Sequence, residues 1–238
     1  MISEPQLTEI RNYLLSKKLP IDILIEVNDH FASQITDLQK EENLNFEEAF
    51  EKTKENWKED LTLSWNGSAD LEDSTPFIRN VRQQLAIENF LASFKYTLIA
   101  FYLIFFSGIF FNQWFFKYFL LITLLFFSFF PFINYLKNLK DFRLSKKYSN
   151  HILTLHQGGA YLFLGIFGVS LQLDIRLFQH SIEVQNLINF KPSDFGISEI
   201  LFLIFGVLTL ILMSIFSIIS QHKYIKQIQK IKPFLKYL

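Results

Sequence analysis

Across residues 200–220, fifteen of twenty-one positions are Ile, Leu, Phe or Val and none is charged. A run of that length matches the thickness of a bilayer, because about 20 residues of helix cross a hydrocarbon layer of roughly 30 Å. At about −0.3 to −0.6 kcal/mol for each such residue, insertion gains roughly 5 to 9 kcal/mol. Three further runs meet the same test less strongly, at residues 90–111, 118–136 and 152–173. The third is the weakest, since His156, Gln157, Gly158 and Gly159 occupy its first half. The chain also carries 29 Phe in 238 residues, a load that a water-facing core of this size would struggle to bury.

Charge divides the chain at the same place. Residues 1–76 hold seventeen acids and seven bases, a net of −10, so the remainder carries +10 and the overall zero is a cancellation. This predicts an all-α protein in which a small N-terminal three-helix cytoplasmic domain, residues 1–63, precedes a linker at 64–76 and a four-helix transmembrane domain at 77–238. No Cys is present, which removes disulfides and thiolate metal sites. Met1-Ile2-Ser3-Glu4-Pro5 lacks a basic stretch followed by an apolar one, so no cleavable signal peptide is expected. Abundant Phe, Ile, Lys, Asn and Tyr fit an AT-rich bacterial genome.

Loop charge sets the expected topology. Lys137, Lys140, Arg143, Lys146 and Lys147 follow the second run, and Lys223, Lys226, Lys230, Lys232 and Lys236 follow the fourth. Both belong on the cytoplasmic side. Lys117 and the mixed charges Asp174, Arg176, Glu183, Lys191, Asp194 and Glu199 suit the other side. Four spans satisfy every loop, with both termini cytoplasmic. Residues 175–190 predict a short helix on the outer surface, and the basic cytoplasmic tail from His222 predicts a helix lying on anionic headgroups.

In the front domain, Leu7, Ile10 and Leu14 predict a first helix, with Ser3 and Gln6 as a capping box. Pro20 opens a second, along which Leu24, Val27, Phe31, Ile35 and Leu38 form a stripe. Asn45 and Glu48 cap a third, lined by Phe46, Ala49, Phe50, Thr53, Trp57 and Leu61. Residues 64–76 gather turn formers, and Asn66-Gly67-Ser68 within them matches a glycosylation acceptor that would be idle in a cytoplasmic linker.

Chemistry-bearing residues are few. Glu26 and His30 stand four apart on one helix face with Asp29 beside them, which reads either as a His hydrogen-bonded at the edge of the helix interface or as half of a metal site. Glu26, Asp29, His30 and Trp57 are therefore the candidate partner-binding or helix-interface residues. His151, His156 and His222 near helix ends read as interfacial polar residues, the rival being a haem or metal held between spans. Gly158, Gly159, Gly165, Gly168 and Gly206 are expected to allow close helix packing. No charged side chain is expected deep inside a span, which argues against an ion-coupled transporter. No phosphate loop, nucleophile elbow, zinc helix or dinucleotide fingerprint occurs, so no catalytic residue, cofactor or metal is expected.

The order Lys17-Lys18-Leu19-Pro20, Ile25-Glu26-Val27-Asn28-Asp29-His30-Phe31 and Asn45-Phe46-Glu47-Glu48-Ala49-Phe50 resembles the N-terminal helical domain of bacterial small multi-span membrane proteins often encoded beside PadR-type transcription regulators. The likeness covers about residues 4–62. It implies a signalling or adaptor domain on a membrane anchor, with no catalytic residues to carry over. The expected protein is thus a non-enzymatic integral membrane adaptor of the bacterial cytoplasmic (inner) membrane. Its partners would be the lipid bilayer and a cytoplasmic or membrane protein, with homo-oligomers allowed and no direct nucleic acid binding. The rival expectation is an accessory subunit of a membrane transport or secretion complex.

Overall fold

The computed structural model describes residues 2–65, 73–192 and 196–237. Among them are ten α-helices, one short 3-10 helix and no strand beyond an isolated Ser64 to Ser74 bridge. The helices are α1 (Glu4–Ser16), α2 (Ile21–Glu41), α3 (Phe46–Asn56), α4 (Lys58–Leu61), α5 (Pro76–Phe110), α6 (Gln113–Lys137), α7 (Leu139–Lys147), α8 (Gln157–Gln179), α9 (Ser181–Ile188) and α10 (Ile197–Ile231). By length and composition α5, α6, α8 and α10 are four candidate membrane-spanning helices. Asn66-Gly67-Ser68 and Asp194 lie outside the described residues, as does most of the expected linker.

The chain forms two compact units, the first from Met1–Ala86, Arg143–Leu155 and Lys226–Leu238, the second from Ile87–Phe142 and His156–Ile225. In the first, α1 starts where the Gln6 side chain accepts from the Ser3 amide at 2.9 Å. It ends at Lys18, whose φ of 55° turns the chain through the left-handed region. Asn45 opens α3 with a reciprocal pair, Glu48 N–H to Asn45 Oδ1 at 2.9 Å and Asn45 N–H to Glu48 Oε2 at 3.2 Å. Helix α2 packs on both α1 and α3. Its apolar stripe, Leu24, Val27, Phe31 and Ile35, is fully buried with Ile10, Leu14, Phe46, Ala49, Phe50 and Leu61. Residues from far along the chain close this core, namely Ile78, Leu155 and Phe234.

Two expectations change here. The apolar residues of the basic tail do not face outward: Ile228, Ile231 and Leu235 are buried within the first unit, and Arg11 lies 4.2 Å from the Tyr237 ring centre. The third run does not begin a helix at 152. Ile152 and Leu153 lie outside any helix and offer their carbonyls to the Ile21 and Asp22 amides at 2.9 and 3.2 Å. Those amides belong to the first turn of α2, whose N–H groups have no acceptor within the helix, so a distant non-helical segment satisfies them.

The second unit is an up-and-down bundle. Asn112 turns the chain between α5 and α6, its side chain accepting from the Phe115 amide at 2.8 Å. Helices α6 and α8 run antiparallel, with Tyr135 against Phe163 and Phe129 against Phe167. Helix α10 approaches α8 closely at Gly159, where an added Cβ would stand 2.5 Å from Ser220 Oγ. Gly206 meets Leu173 at ordinary contact distance, whereas Gly158, Gly165 and Gly168 face open space and serve no close packing. Within residues 175–190 a helix is present, α9, shorter than expected because Ile175 and Phe178 belong to α8. Gln185 on α9 donates to the Gly108 and Phe111 carbonyls at 3.1 and 2.8 Å, and Asn189 to Gly108 at 2.9 Å. These amides cap the C-terminal end of α5, whose last carbonyls lack intrahelical donors.

Candidate functional site

Burial of one stripe of α2 leaves the opposite stripe in water. Glu26, Asp29, His30, Ser33, Asp37 and Glu41 are all at least partly exposed, and their spacing puts them along one side of the helix. None of the four acids has an ion pair among the described residues. Two acids of α3 differ, since Glu51 meets Lys54 at 2.6 Å and Glu55 meets Lys58 at 3.0 Å. Trp57 is not on this ridge. It is half-buried across the core, its indole N–H donating to Gln34 Oε1 at 3.0 Å and its ring 5.3 Å from that of Phe31. The structure therefore brings Glu26, Asp29 and His30 together and leaves Trp57 apart as a packing residue.

The expectation of a hydrogen-bonded interface histidine is corrected. His30 is exposed and makes no hydrogen bond among the described residues, because the helix turns it away from the stripe that meets α1 and α3. Among the described residues no group of three or more His, Asp or Glu is placed to hold a metal ion. His156, just before α8, is buried, while His222 is exposed.

Two acids are buried. Asp22 is only 7 % exposed, with Oδ1 accepting from the Ile23 amide at 3.0 Å and Oδ2 from the Leu155 amide at 3.3 Å. Burial pushes its carboxyl up to about 7, with a smaller push from Glu26, against the opposing pull of the amide donors. Asp174, expected in an outer loop, lies inside α8 at 3 % exposure and accepts from Ser128 Oγ on α6 at 2.6 Å. A carboxyl group does therefore sit within a candidate span, contrary to expectation, because α8 continues to Gln179. The clue was present in sequence: Ile175, Leu177 and Phe178 carry the apolar pattern past Asp174. Gln221 of α10 completes the interior polar seam, accepting from Asn134 Nδ2 at 2.8 Å and donating to the Pro131 and Ala160 carbonyls at 3.1 and 3.2 Å. Amides and hydroxyls in such a seam tie helices that have no hydrophobic drive to associate in lipid.

No family model matches the chain, and no curated protein or solved structure is similar to it.

Proposed function

We propose that the chain is a non-enzymatic adaptor of the bacterial cytoplasmic membrane, with both termini cytoplasmic, whose acidic helical domain binds a protein partner with a basic surface. The observation that carries this reading is the ridge of Glu26, Asp29, Asp37 and Glu41, four acids without an ion pair among the described residues against the single base Lys40, on a helix whose other side is locked in a core. A row of net negative charge attracts a basic surface at long range and fixes its register on contact. The resemblance of residues 4–62 to adaptor-like domains supports the same reading, as do the lysines after α6 and late in α10. A photo-cross-linker at Ser33, in the middle of the ridge, should give one discrete protein adduct in intact membranes. Glu26→Lys with Asp37→Lys should abolish it; an adduct that survives the double reversal overturns the ridge as a binding face. Reporter fusions at residues 145 and 238 should score cytoplasmic and one near residue 185 external.

The rival reading, an accessory subunit of a transport complex, is favoured by one observation, the Asp174 to Ser128 pair inside the helix bundle, since ionisable groups there commonly serve transport. Asp174→Asn should leave the Ser33 adduct unchanged under the adaptor reading.

A further inference from the structure

Helices α5, α6 and α10 enclose a groove of about 610 Å³ in the second unit, open on one side. Its walls are Tyr96, Ile99 and Leu103 of α5, Phe126 and Phe130 of α6, and Ile219 of α10, among others, and Thr123 is the one hydroxyl-bearing aliphatic in them. That hydroxyl is already committed to the Phe119 carbonyl at 2.9 Å. The middle of the groove therefore offers a ligand no free donor. Along α6 it runs from Phe119 to Phe130, which at 1.5 Å per residue is roughly 16 Å. That equals about half of a 30 Å hydrocarbon layer, the reach of one acyl chain within one leaflet.

Charge marks only one end of the groove. Lys95 stands four residues before Ile99 on the same side of α5, and helical side chains lean toward the helix N-terminus, so its ammonium extends past the groove's end. Lys95 is exposed and has no ion pair among the described residues. On α10, His222 follows Ile218 by four residues and is exposed; on α6, Lys137 follows Phe130 by two turns and is exposed. The antiparallel course of α5 against α6 and α10 puts all three groups at the same end. Of the acids near this end, Glu88 faces Lys223 at 3.9 Å, with Lys223 held by Asn89 Oδ1 at 2.7 Å, and Asp141 stands on α7 four residues beyond Lys137. Lys95, exposed and without an ion pair among the described residues, is thus the groove's own charge. At the other end, the wall closes on Phe119 and Leu103, and the base nearest to it on α6, Lys117, is turned away over the Phe178 ring of α8 at 4.6 Å.

We infer that this groove is a binding site for one anionic phospholipid, its acyl chain lying between α5, α6 and α10 and its phosphate at Lys95. This goes beyond the adaptor reading and is independent of what the acidic ridge binds. A chain between three helix walls exchanges with bulk lipid more slowly than one on a convex surface, and the lysine selects the headgroup. Each lysine near a headgroup layer contributes about 1 kcal/mol toward anionic lipid, so reversing Lys95 removes one such attraction and adds a like repulsion.

The test is native mass spectrometry of the full chain released from detergent after incubation with phosphatidylglycerol or phosphatidylcholine of matched chains. One phosphatidylglycerol should stay bound at collision energies that strip phosphatidylcholine. Lys95→Glu should lower that retention about tenfold or more, while Lys140→Glu, on α7 and outside the groove walls, should leave it unchanged. Thr123→Trp, which fills the groove, should remove retention of both lipids while circular dichroism shows the helices intact. Should Thr123→Trp fail to fold, the exposed Lys95 still decides, because its reversal does not disturb packing. Equal retention of the two lipids, or equal losses from Lys95→Glu and Lys140→Glu, would overturn the site.

Discussion

In the first unit Phe31 and Phe50 sit at the centre of the core while the acids along the outer side of α2 are in water; in the second, Phe106, Phe202 and Phe205 point outward while Ser128, Asp174 and Gln221 are inside. The two regions use the same helix and the same amino acids in opposite places. In water, burying an aromatic ring supplies the drive for association, at about 25 cal/mol per Å² of apolar area. In lipid, outward Phe costs nothing, and small residues with interior hydrogen bonds hold the helices together instead.

Swapping the same substitution between the two regions is the strongest way to break this contrast. Phe31→Ala should cost about 3 to 5 kcal/mol, the usual loss for a fully buried ring. Phe202→Ala, at a position 78 % exposed, should stay within about 0.5 kcal/mol. Thermal melting of the detergent-solubilised chain measures both. A large loss from Phe202→Ala would mean that this ring faces a protein neighbour and not lipid.

The buried acid of the first unit gives the next effect. The folded Asp22 carboxyl titrates at about 7, against roughly 3.9 when unfolded. The folded state therefore holds the extra proton between those two values, so stability is fully present below about pH 4 and is lost as pH rises through 7. The whole effect is up to about 4 kcal/mol, since each tenfold difference in proton affinity between the folded and unfolded states is worth about 1.4 kcal/mol. The difference in urea midpoint between the wild type and Asp22→Asn, followed by tryptophan fluorescence from pH 4 to 8, should carry this slope. A flat difference would show that Asp22 is solvated and that the chain at 152–155 does not cover α2.

Much of the contrast was legible in the sequence, because it rests on periodicity. The stripes of α1, α2 and α3 and the four long apolar helices follow from residues three and four apart, or from unbroken runs, and so do the capping pairs at Ser3 and Asn45. What the sequence hid was long-range. Nothing near Asp22 announces that the Ile152 and Leu153 carbonyls will meet the start of α2, and the tail pattern of Lys with Ile suits a headgroup surface as well as a protein core. Asp174 reads in isolation as the end of a span, although the apolar pattern resumes after it and the helix follows that pattern. At the α2 ridge, the positions of Glu26, Asp29 and His30 were legible, but their exposure depended on which stripe the partner helices took.

Glycines test the lipid half of the contrast. A methyl group on Gly159 would meet Ser220 Oγ at 2.5 Å and Phe216 Cε1 at 2.9 Å, while one on Gly158 would meet nothing within 4 Å. Gly159→Ala should destabilise the second unit by about 1 to 3 kcal/mol through overpacking. Gly158→Ala should be neutral or slightly stabilising, since Ala is the better helix former by nearly 1 kcal/mol. Melting in detergent separates them, and equal behaviour would place the α8 to α10 crossing elsewhere.

The smallest expected effect belongs to His30, and its smallness is informative. An exposed histidine without a hydrogen bond among the described residues contributes little, so His30→Gln should change the melting temperature by no more than an exposed substitution does, within about 0.5 kcal/mol. That result would leave the imidazole free for a partner. If His30 and Glu26 instead gripped a metal together with a residue supplied from elsewhere, zinc would stabilise the folded state by mass action and raise the wild-type melting point. The rise would vanish in His30→Gln, because the ligand set would lose its nitrogen. Melting curves of both proteins with and without zinc distinguish the cases. Superimposed curves keep the ridge as a surface of charge, and a zinc-dependent rise confined to the wild type would turn it into a coordination site.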